Sequence, residues 1–460
     1  MDSNANLGGV RMVIAKVTHS CNLRCAYCCA DAIPLTQPGA TMAIETHRNA
    51  ARLLAGQTES EALHWIFHGG EPMLLPAAWY EEAIEFLIGV AEANPRLQRL
   101  VVGMQSNLTR LTPEMLALVK KYRIQVGTSL DGPPQISDLY RQAGKRVEET
   151  IELMTREGAP PGVIAQIHRN AMSNLDEVID YFDRKGFAVM FNPTCPTGRG
   201  ANVEGLTGEE LFDARRRLLE RADRSGNLKL LGPDLVRQLW WFASQTRDMG
   251  ERTCHDYNCG GGVTLIGVDP NGDLWPCGRA SDAEMSRLGN VNEPESLRNY
   301  PRALMRFHEK DAWYVRCFGC AAQLICLFGC TAFDKDSVPT RETDCHATLL
   351  LYQYLCAHPD LARRMVERFH AEMTRVREEV ETGKLPPPFL KLHTGAHPCE
   401  NRSVGCEPAT VAGQELTVRF GADANAAIGG PNGAAAPREP VRQAGEVRRD
   451  RRTREAALTS

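Results

Sequence analysis

Three thiols at i, i+4 and i+7 stand near the start of the chain: Cys21, Cys25 and Cys28, within His19-Ser-Cys-Asn-Leu-Arg-Cys-Ala-Tyr-Cys28. Thiolates that close can hold three irons of a cubane iron–sulfur cluster, which normally takes four cysteine ligands. The fourth iron is then left to a ligand that is not protein. A metal centre with one open position is built for chemistry, by the same logic as an open catalytic zinc. Zinc itself is the competing occupant of any closely spaced cysteine set. Here the triad is cramped for wrapping a tetrahedral ion, and the fourth ligand at hand is His19, only two residues upstream. Cys29 offers a second register, Cys21, Cys25 and Cys29.

A second array reads Cys254-x4-Cys259, Gly272-x4-Cys277, then Cys317-x2-Cys320-x5-Cys326-x3-Cys330 and finally Cys345. Eight thiolates suit two four-iron clusters, and they suit two structural zinc sites equally. Asp269-Pro-Asn-Gly272 is a turn signal between two apolar runs and predicts a hairpin that presents Cys277. Cys195 and Cys356 read as small buried hydrophobes, although Cys195 follows a strand end where it could face a substrate. His393, His397, Cys399 and Cys406 have no ligand spacing.

Between the two arrays the chain alternates strand and helix patterns. Strands are predicted at Arg11–Val17, His64–Phe67, Arg99–Gln105, Ile124–Leu130, Val163–His168 and Phe187–Asn192, and helices near Ala43–Ala55, Ala77–Ala91, Pro113–Lys121, Val147–Arg156 and Asn174–Lys185. Thr112-Pro113 is a good helix start. Such alternation implies an α/β fold with a parallel sheet. Polar motifs follow the strands: His68-Gly-Gly-Glu-Pro72, Gln105-Ser106-Asn107 and Ser129-Leu-Asp131-Gly-Pro133, with Arg141 beyond. That is the carboxyl edge at which parallel sheets bind ligands. Gly69 and Gly70 would let backbone approach a ligand closely, and Pro72 would turn the chain off its strand.

The triad with Tyr27 before its last cysteine, the Gly-Gly-Glu-Pro element and the later strand-end motifs together resemble the radical S-adenosylmethionine enzymes. The resemblance favours the register ending at Cys28. It implies a partial (β/α)6 barrel in which the open iron is chelated by the amine and carboxylate of S-adenosylmethionine. One electron then cleaves the cofactor to a 5′-deoxyadenosyl radical, which abstracts a hydrogen atom. By this resemblance Glu71 would accept from the methionyl ammonium, Arg141 and Ser129 would hold its carboxylate, and Ser106 or Asn107 would serve the ribose. The second array resembles the SPASM extension, which holds two auxiliary [4Fe–4S] clusters. Its crossed ligation would assign Cys254, Cys259, Cys277 and Cys330 to the first and Cys317, Cys320, Cys326 and Cys345 to the second. The cofactors expected are thus S-adenosylmethionine and three [4Fe–4S] clusters, the substrate a peptide or protein, and the reductant a flavodoxin or ferredoxin. The substrate-side base is not identified.

Composition bounds the alternatives. The chain has 460 residues, a net charge of −4, 43% hydrophobic residues and 16 cysteines. No broad positive charge recommends nucleic acid or an anionic membrane, and no run reaches the ~20 apolar residues of a membrane span. The start has no secretory signal, and reduced metal-bound thiols suit the cytoplasm. The expected organisation is a barrel at 10–200, a helical linker at 201–252, an auxiliary-cluster domain at 253–350, a helix at 351–382 and a disordered Ala/Gly/Pro- and Arg-rich tail at 383–460. Trp240 and Trp241 read as core packing. The leading function is a maturase that modifies a ribosomal peptide by crosslinking, thioether formation, epimerisation or oxidation. A formylglycine-forming sulfatase maturase is the second, weakened because Gly278 stands where such enzymes usually carry Asp. A non-catalytic zinc or iron–sulfur scaffold or electron carrier is the third.

Overall fold

The computed structural model describes residues 7–30, 32–247, 259–279, 286–309, 317–330 and 338–393. Cys254, Cys399, Cys406 and the expected tail beyond His393 lie outside the described residues.

Six strands, β1 (Met12–Thr18), β2 (Ala62–Gly69), β3 (Arg99–Gln105), β4 (Gln125–Ser129), β5 (Gly162–Ile167) and β6 (Val189–Pro193), lie side by side in chain order, all parallel. Burial in β2 and β5 follows a period of two. Val13, Ala15 and Val17, then Leu63, Trp65 and Phe67, then Leu100, Val102 and Met104 are buried on one face. The helices α1 (Ile44–Gln57), α2 (Ala77–Ala93), α3 (Pro113–Lys121), α4 (Gly144–Arg156) and α5 (Leu175–Lys185) alternate with these strands. The opposite face is only half-covered. His64, Ile66, Val101, Gly103, Gln105, Gln125 and Gly127 line a cavity of about 450 Å³ there. Local signals place the helices where expected: Thr112 caps α3 by accepting from Met115 N–H, with Pro113 in the first turn.

The cysteine-rich region extends the same sheet. Its strand β7 (Leu265–Val268) runs parallel to β1, pairing Met12 with Leu265 and Ala15 with Val268. β8 (Asp273–Trp275) returns antiparallel through the predicted turn, where Gly272 has φ +91° and its N–H donates to Asp269 O, and β9 (Gly289–Asn290) follows. The stretch expected as a helical linker holds two helices, α6 (Gly208–Ser225) and α7 (Pro233–Ser244), packed into one hydrophobic core with the barrel. Trp241 is 2% exposed within it, as core packing requires. Two further long helices are α8 (Val338–Ala357) and α9 (Pro359–Glu381).

Two expectations are corrected. The ordered chain does not stop at residue 383: β10 (Leu390–Lys391) pairs antiparallel with Arg99 and Leu100 of β3, and Leu390 and Leu392 are buried. The pairing fills the stretch of β3 that precedes the first β4 partner, Gln125 opposite Gly103. Cys356, expected in the core, is exposed on α8.

Candidate functional site: the triad loop, its strand-end clasps and the second thiol array

The triad loop leaves β1 at Thr18 and passes over the carboxyl ends of the strands. Cys21 and Cys25 are buried, Cys28 is half-buried, and Leu23, Tyr27 and Ala32 wall them. Burial pushes the Cys21 thiol up to about 11, with Glu71, Cys25 and Cys28 adding to it. Cys25 is raised for the same reason, against the opposing pull of the Arg141 and Arg199 guanidinium groups. Neutral thiols in such a place ionise when a metal takes the proton's position. The nearby arginines then suit an anionic thiolate cluster. The residues therefore fit three ligands of an iron–sulfur centre. Among the described residues no three His, Cys, Asp or Glu side chains converge as the ligands of a single metal ion would; cubane thiols stand apart, one on each iron. His19, the alternative fourth zinc ligand, turns toward Asp269 at the end of β7, with Nε2 3.8 Å from its carboxylate.

The Gly-Gly-Glu-Pro loop packs directly on this segment. A Cβ on Gly69, whose φ is +133°, would stand 2.2 Å from Thr18 O, and one on Gly70 would stand 2.2 Å from Ser20 O. The close approach predicted for these glycines is present, but what approaches is the backbone leading into the triad. Glu71 is 1% exposed. Its Oε1 accepts from Met73 N–H at 2.9 Å and Ser106 Oγ at 2.7 Å, and its Oε2 accepts from Asn107 N–H at 2.7 Å. Burial raises its pKa while these three donors oppose the rise. A carboxylate has about four acceptor positions, so about one remains for any ammonium. Ser106 Oγ also accepts from Leu108 N–H. The Asn107 amide donates to Asn22 Oδ1 at 3.0 Å and lies 3.9 Å from Cys21 Sγ, and its oxygen accepts from Thr109. Ser106 and Asn107, expected to serve the ribose, also fasten the triad loop to the ends of β2 and β3.

A second clasp lies on the other side. The Tyr27 hydroxyl donates to Asp131 Oδ2 and accepts from Arg141 Nη1 at 3.2 Å. Asp131 Oδ1 accepts from Gln166 N–H of β5 at 2.9 Å. Burial raises Asp131, with Arg141, the Gln166 N–H and Tyr27 holding it down. Arg141 is raised by Tyr27, Cys25 and Asp131, although burial opposes them. Ser129, at the end of β4, faces Gln105, with the amide nitrogen 3.5 Å from its hydroxyl. Arg199 was not anticipated. Beyond β6, its side chain donates to Cys25 O at 3.0 Å and Ala32 O at 3.2 Å, and its own N–H donates to Cys28 O. Its only signal in sequence is Gly-Arg-Gly shortly after a predicted strand.

In the second array, Cys277 follows the β7–β8 hairpin and is buried against Leu265, Phe307 and Cys259. Burial pushes its thiol up to about 12, and Cys330 and Cys259 add to it. Cys326 is pushed to about 11 by burial, with Cys345 and Cys317 adding, and Cys345 in turn responds to Cys320 after its own burial. Cys317, Cys326, Cys330 and Cys345 line one cavity, and Cys259 packs beside Cys277. Arg247 braces the segment at Cys326 by donating to Gln323 O and Cys326 O at 3.0 and 2.8 Å. The cavity, of about 120 Å³, lies between β6 and this region and is lined also by Cys195, Arg279 and Asp344. Cys195 is half-buried there, its thiol raised to about 11, mainly by burial.

Comparison with known proteins bears on the fold and the domain. Residues 15–183 match the Radical SAM superfamily model. A serine-type anaerobic sulfatase-maturating enzyme of Klebsiella aerogenes is 23% identical over 331 residues, 68% of this chain and 77% of that protein. The solved structure of native anSMEcpe with bound AdoMet and Cp18Cys peptide is similar with a TM-score of 0.60 at 19% identity, covering 77% of this chain and 99% of that one. Streptococcus suis SuiB bound to precursor peptide SuiA gives 0.50 at 15% identity, covering 71% and 72%. At such identities the two structures speak for the fold. Residues 15–183 carry a radical SAM domain, and the chain is an enzyme.

Proposed function

We propose that this enzyme is a maturase that modifies a residue of a peptide or protein. Cys21, Cys25 and Cys28 would hold the initiating cluster, and Arg141 with Ser129 the cofactor's carboxylate. Cys254, Cys259, Cys277 and Cys330, and separately Cys317, Cys320, Cys326 and Cys345, would hold two auxiliary [4Fe–4S] clusters. What the bound cluster and S-adenosylmethionine supply is an electron source and a hydrogen-atom abstractor. This chain's own residues wall the site, charge it and orient the cofactor. The observation that carries the reading is the seating of the second array. β7 pairs with β1, so Cys277 follows a hairpin joined to the very strand that feeds the triad. A peptide entering between them would meet both cysteine regions. The two similar structures hold peptides, Cp18Cys and SuiA.

Gly278 favours crosslinking, thioether formation, epimerisation or oxidation over formylglycine formation. A Cβ there would stand 3.0 Å from Ile14 Cγ2, so Ile14 would have to give by a few tenths of an ångström to admit an Asp. Two measurements test the proposal. Anaerobic reconstitution is expected to load about twelve irons, four per cluster. Mass spectrometry of a short precursor encoded beside the gene, incubated with the enzyme and a reduced flavodoxin or ferredoxin, is expected to show a mass change that requires S-adenosylmethionine. A chain that binds stoichiometric zinc would overturn it, and conversion of a sulfatase peptide to formylglycine would overturn the preference drawn from Gly278.

A further inference from the structure

We propose that Tyr27 and Asp131 are positioning residues that aim Arg141 at the carboxylate of S-adenosylmethionine, tying the anion-binding arm to the cluster loop itself. Tyr27 is 5% exposed and Asp131 7%. A buried carboxylate is retained when hydrogen bonds and a nearby cation compensate it. Asp131 has both: Gln166 N–H on one oxygen, the Tyr27 hydroxyl on the other, and Arg141 beyond. The Asp131 N–H also lies 3.4 Å from Ser137 Oγ, so backbone and side chain are both pinned.

The phenol stands between the two charges as relay and spacer. It donates to Asp131, accepts from one Nη of Arg141, and its ring lies 5.8 Å from the guanidinium carbon. An arginine carries five N–H donors in a rigid fork; with one held by the phenol, the fork is pre-set for a planar acceptor. The backbone around Arg141 is fixed toward the triad as well. Ala26 N–H donates to Tyr140 O at 2.8 Å and Arg24 N–H to Gln142 Oε1 at 3.1 Å. Gln142 and Ala143 take φ of +80° and +59°, a strained pair for residues with a Cβ. Tyr27 immediately precedes Cys28. The loop that carries the triad therefore also sets the direction of the arginine.

The inference rests on the reading that Arg141 holds the cofactor's carboxylate, and the test separates the two. The reconstituted full-length enzyme is titrated by equilibrium dialysis with S-adenosylmethionine and with decarboxylated S-adenosylmethionine, which lacks the carboxylate. Tyr27→Phe keeps the ring and removes the hydroxyl. It is expected to weaken S-adenosylmethionine about tenfold, the size of one charge-assisted hydrogen bond, with iron content and affinity for the decarboxylated compound unchanged. Added to Arg141→Ala, it is expected to cause no further loss. If Arg141→Ala weakens binding and Tyr27→Phe does not, the positioning role is overturned. Equal losses for both compounds would mark Tyr27 as merely structural and overturn it also. An Arg141→Ala enzyme with unchanged affinity would instead sink the underlying reading. Should Tyr27→Phe lose iron, Asp131→Asn, which leaves the hydroxyl in place, carries the same two-compound comparison.

Discussion

The triad loop and the second thiol array hold their cysteines in different ways. The triad spans eight residues, and side chains from the ends of four strands reach it: Glu71, Asn107, Asp131 and Arg199 all bond to its backbone, its flanks or one another. The described cysteines of the second array run from Cys259 to Cys345, gathered by a hairpin, a short turn and the start of a helix. Among the described residues, Arg247 on Gln323 O and Cys326 O and Gln238 on Ile325 O clasp this region. A site built on strand ends is pre-organised by the sheet, whereas ligands brought from separate elements draw more of their order from the metal. The initiating site should therefore tolerate loss of the others, and not the reverse in activity.

The strongest way to break that contrast is to remove the triad. Cys21, Cys25 and Cys28 replaced together by Ala should abolish dithionite-dependent formation of 5′-deoxyadenosine while about eight irons stay bound. Loss of all iron would show that the two regions assemble as one. Next in size is Arg247→Ala. It removes two charged hydrogen bonds and the guanidinium 4.5 Å from the Trp241 ring centroid. We expect a cost of about 2–4 kcal/mol in denaturant unfolding and selective loss of about four irons, with S-adenosylmethionine cleavage retained.

A third test lies away from both thiol regions. His47 is 0% exposed among Trp65, Phe67 and Trp79, and neither ring nitrogen has a hydrogen-bond partner. Burial lowers its pKa to about 3. The unfolded chain binds this proton below about pH 6.5 and the native protein does not, so stability is full above 6.5, falls as pH drops, and levels off near pH 3. At pH 5 the loss is about 2 kcal/mol. His47→Phe should remove that part of the acid sensitivity, read as a flatter melting temperature between pH 7 and 5, with no change in iron content. The smallest effects concern the C-terminus. Ending the chain before Leu385 strips β10 and should cost about 2–4 kcal/mol from the buried Leu390 and Leu392. Ending it after His393 should leave the melting temperature unchanged.

Much of the frame was legible from the sequence because it is written in local periods. Val13, Ala15 and Val17 alternate with Ile14 and Lys16, and the strand follows. Thr112-Pro113 starts a helix wherever it precedes an apolar stripe. The three-thiol spacing is equally local, since it lies within eight residues of chain.

What the sequence by itself determined, then, was the alternation of strand and helix, the hairpin before Cys277 and the identity of the thiols. Tertiary structure alone decided the partners. Leu265–Val268 is a four-residue apolar run that any sheet edge could accept, and only folding placed it beside β1. Leu390–Lys391 is too short to announce a strand, yet it finds the unpaired start of β3. Glu71, Ser106 and Asn107 read as ligand-binding groups from their place at strand ends. That Glu71 also accepts from Ser106 and Asn107 is a matter of distances across 35 residues of chain that no local pattern encodes. The Tyr27–Asp131 bond spans 104 residues for the same reason: burial makes an unpaired polar group costly, and the fold supplies the partner.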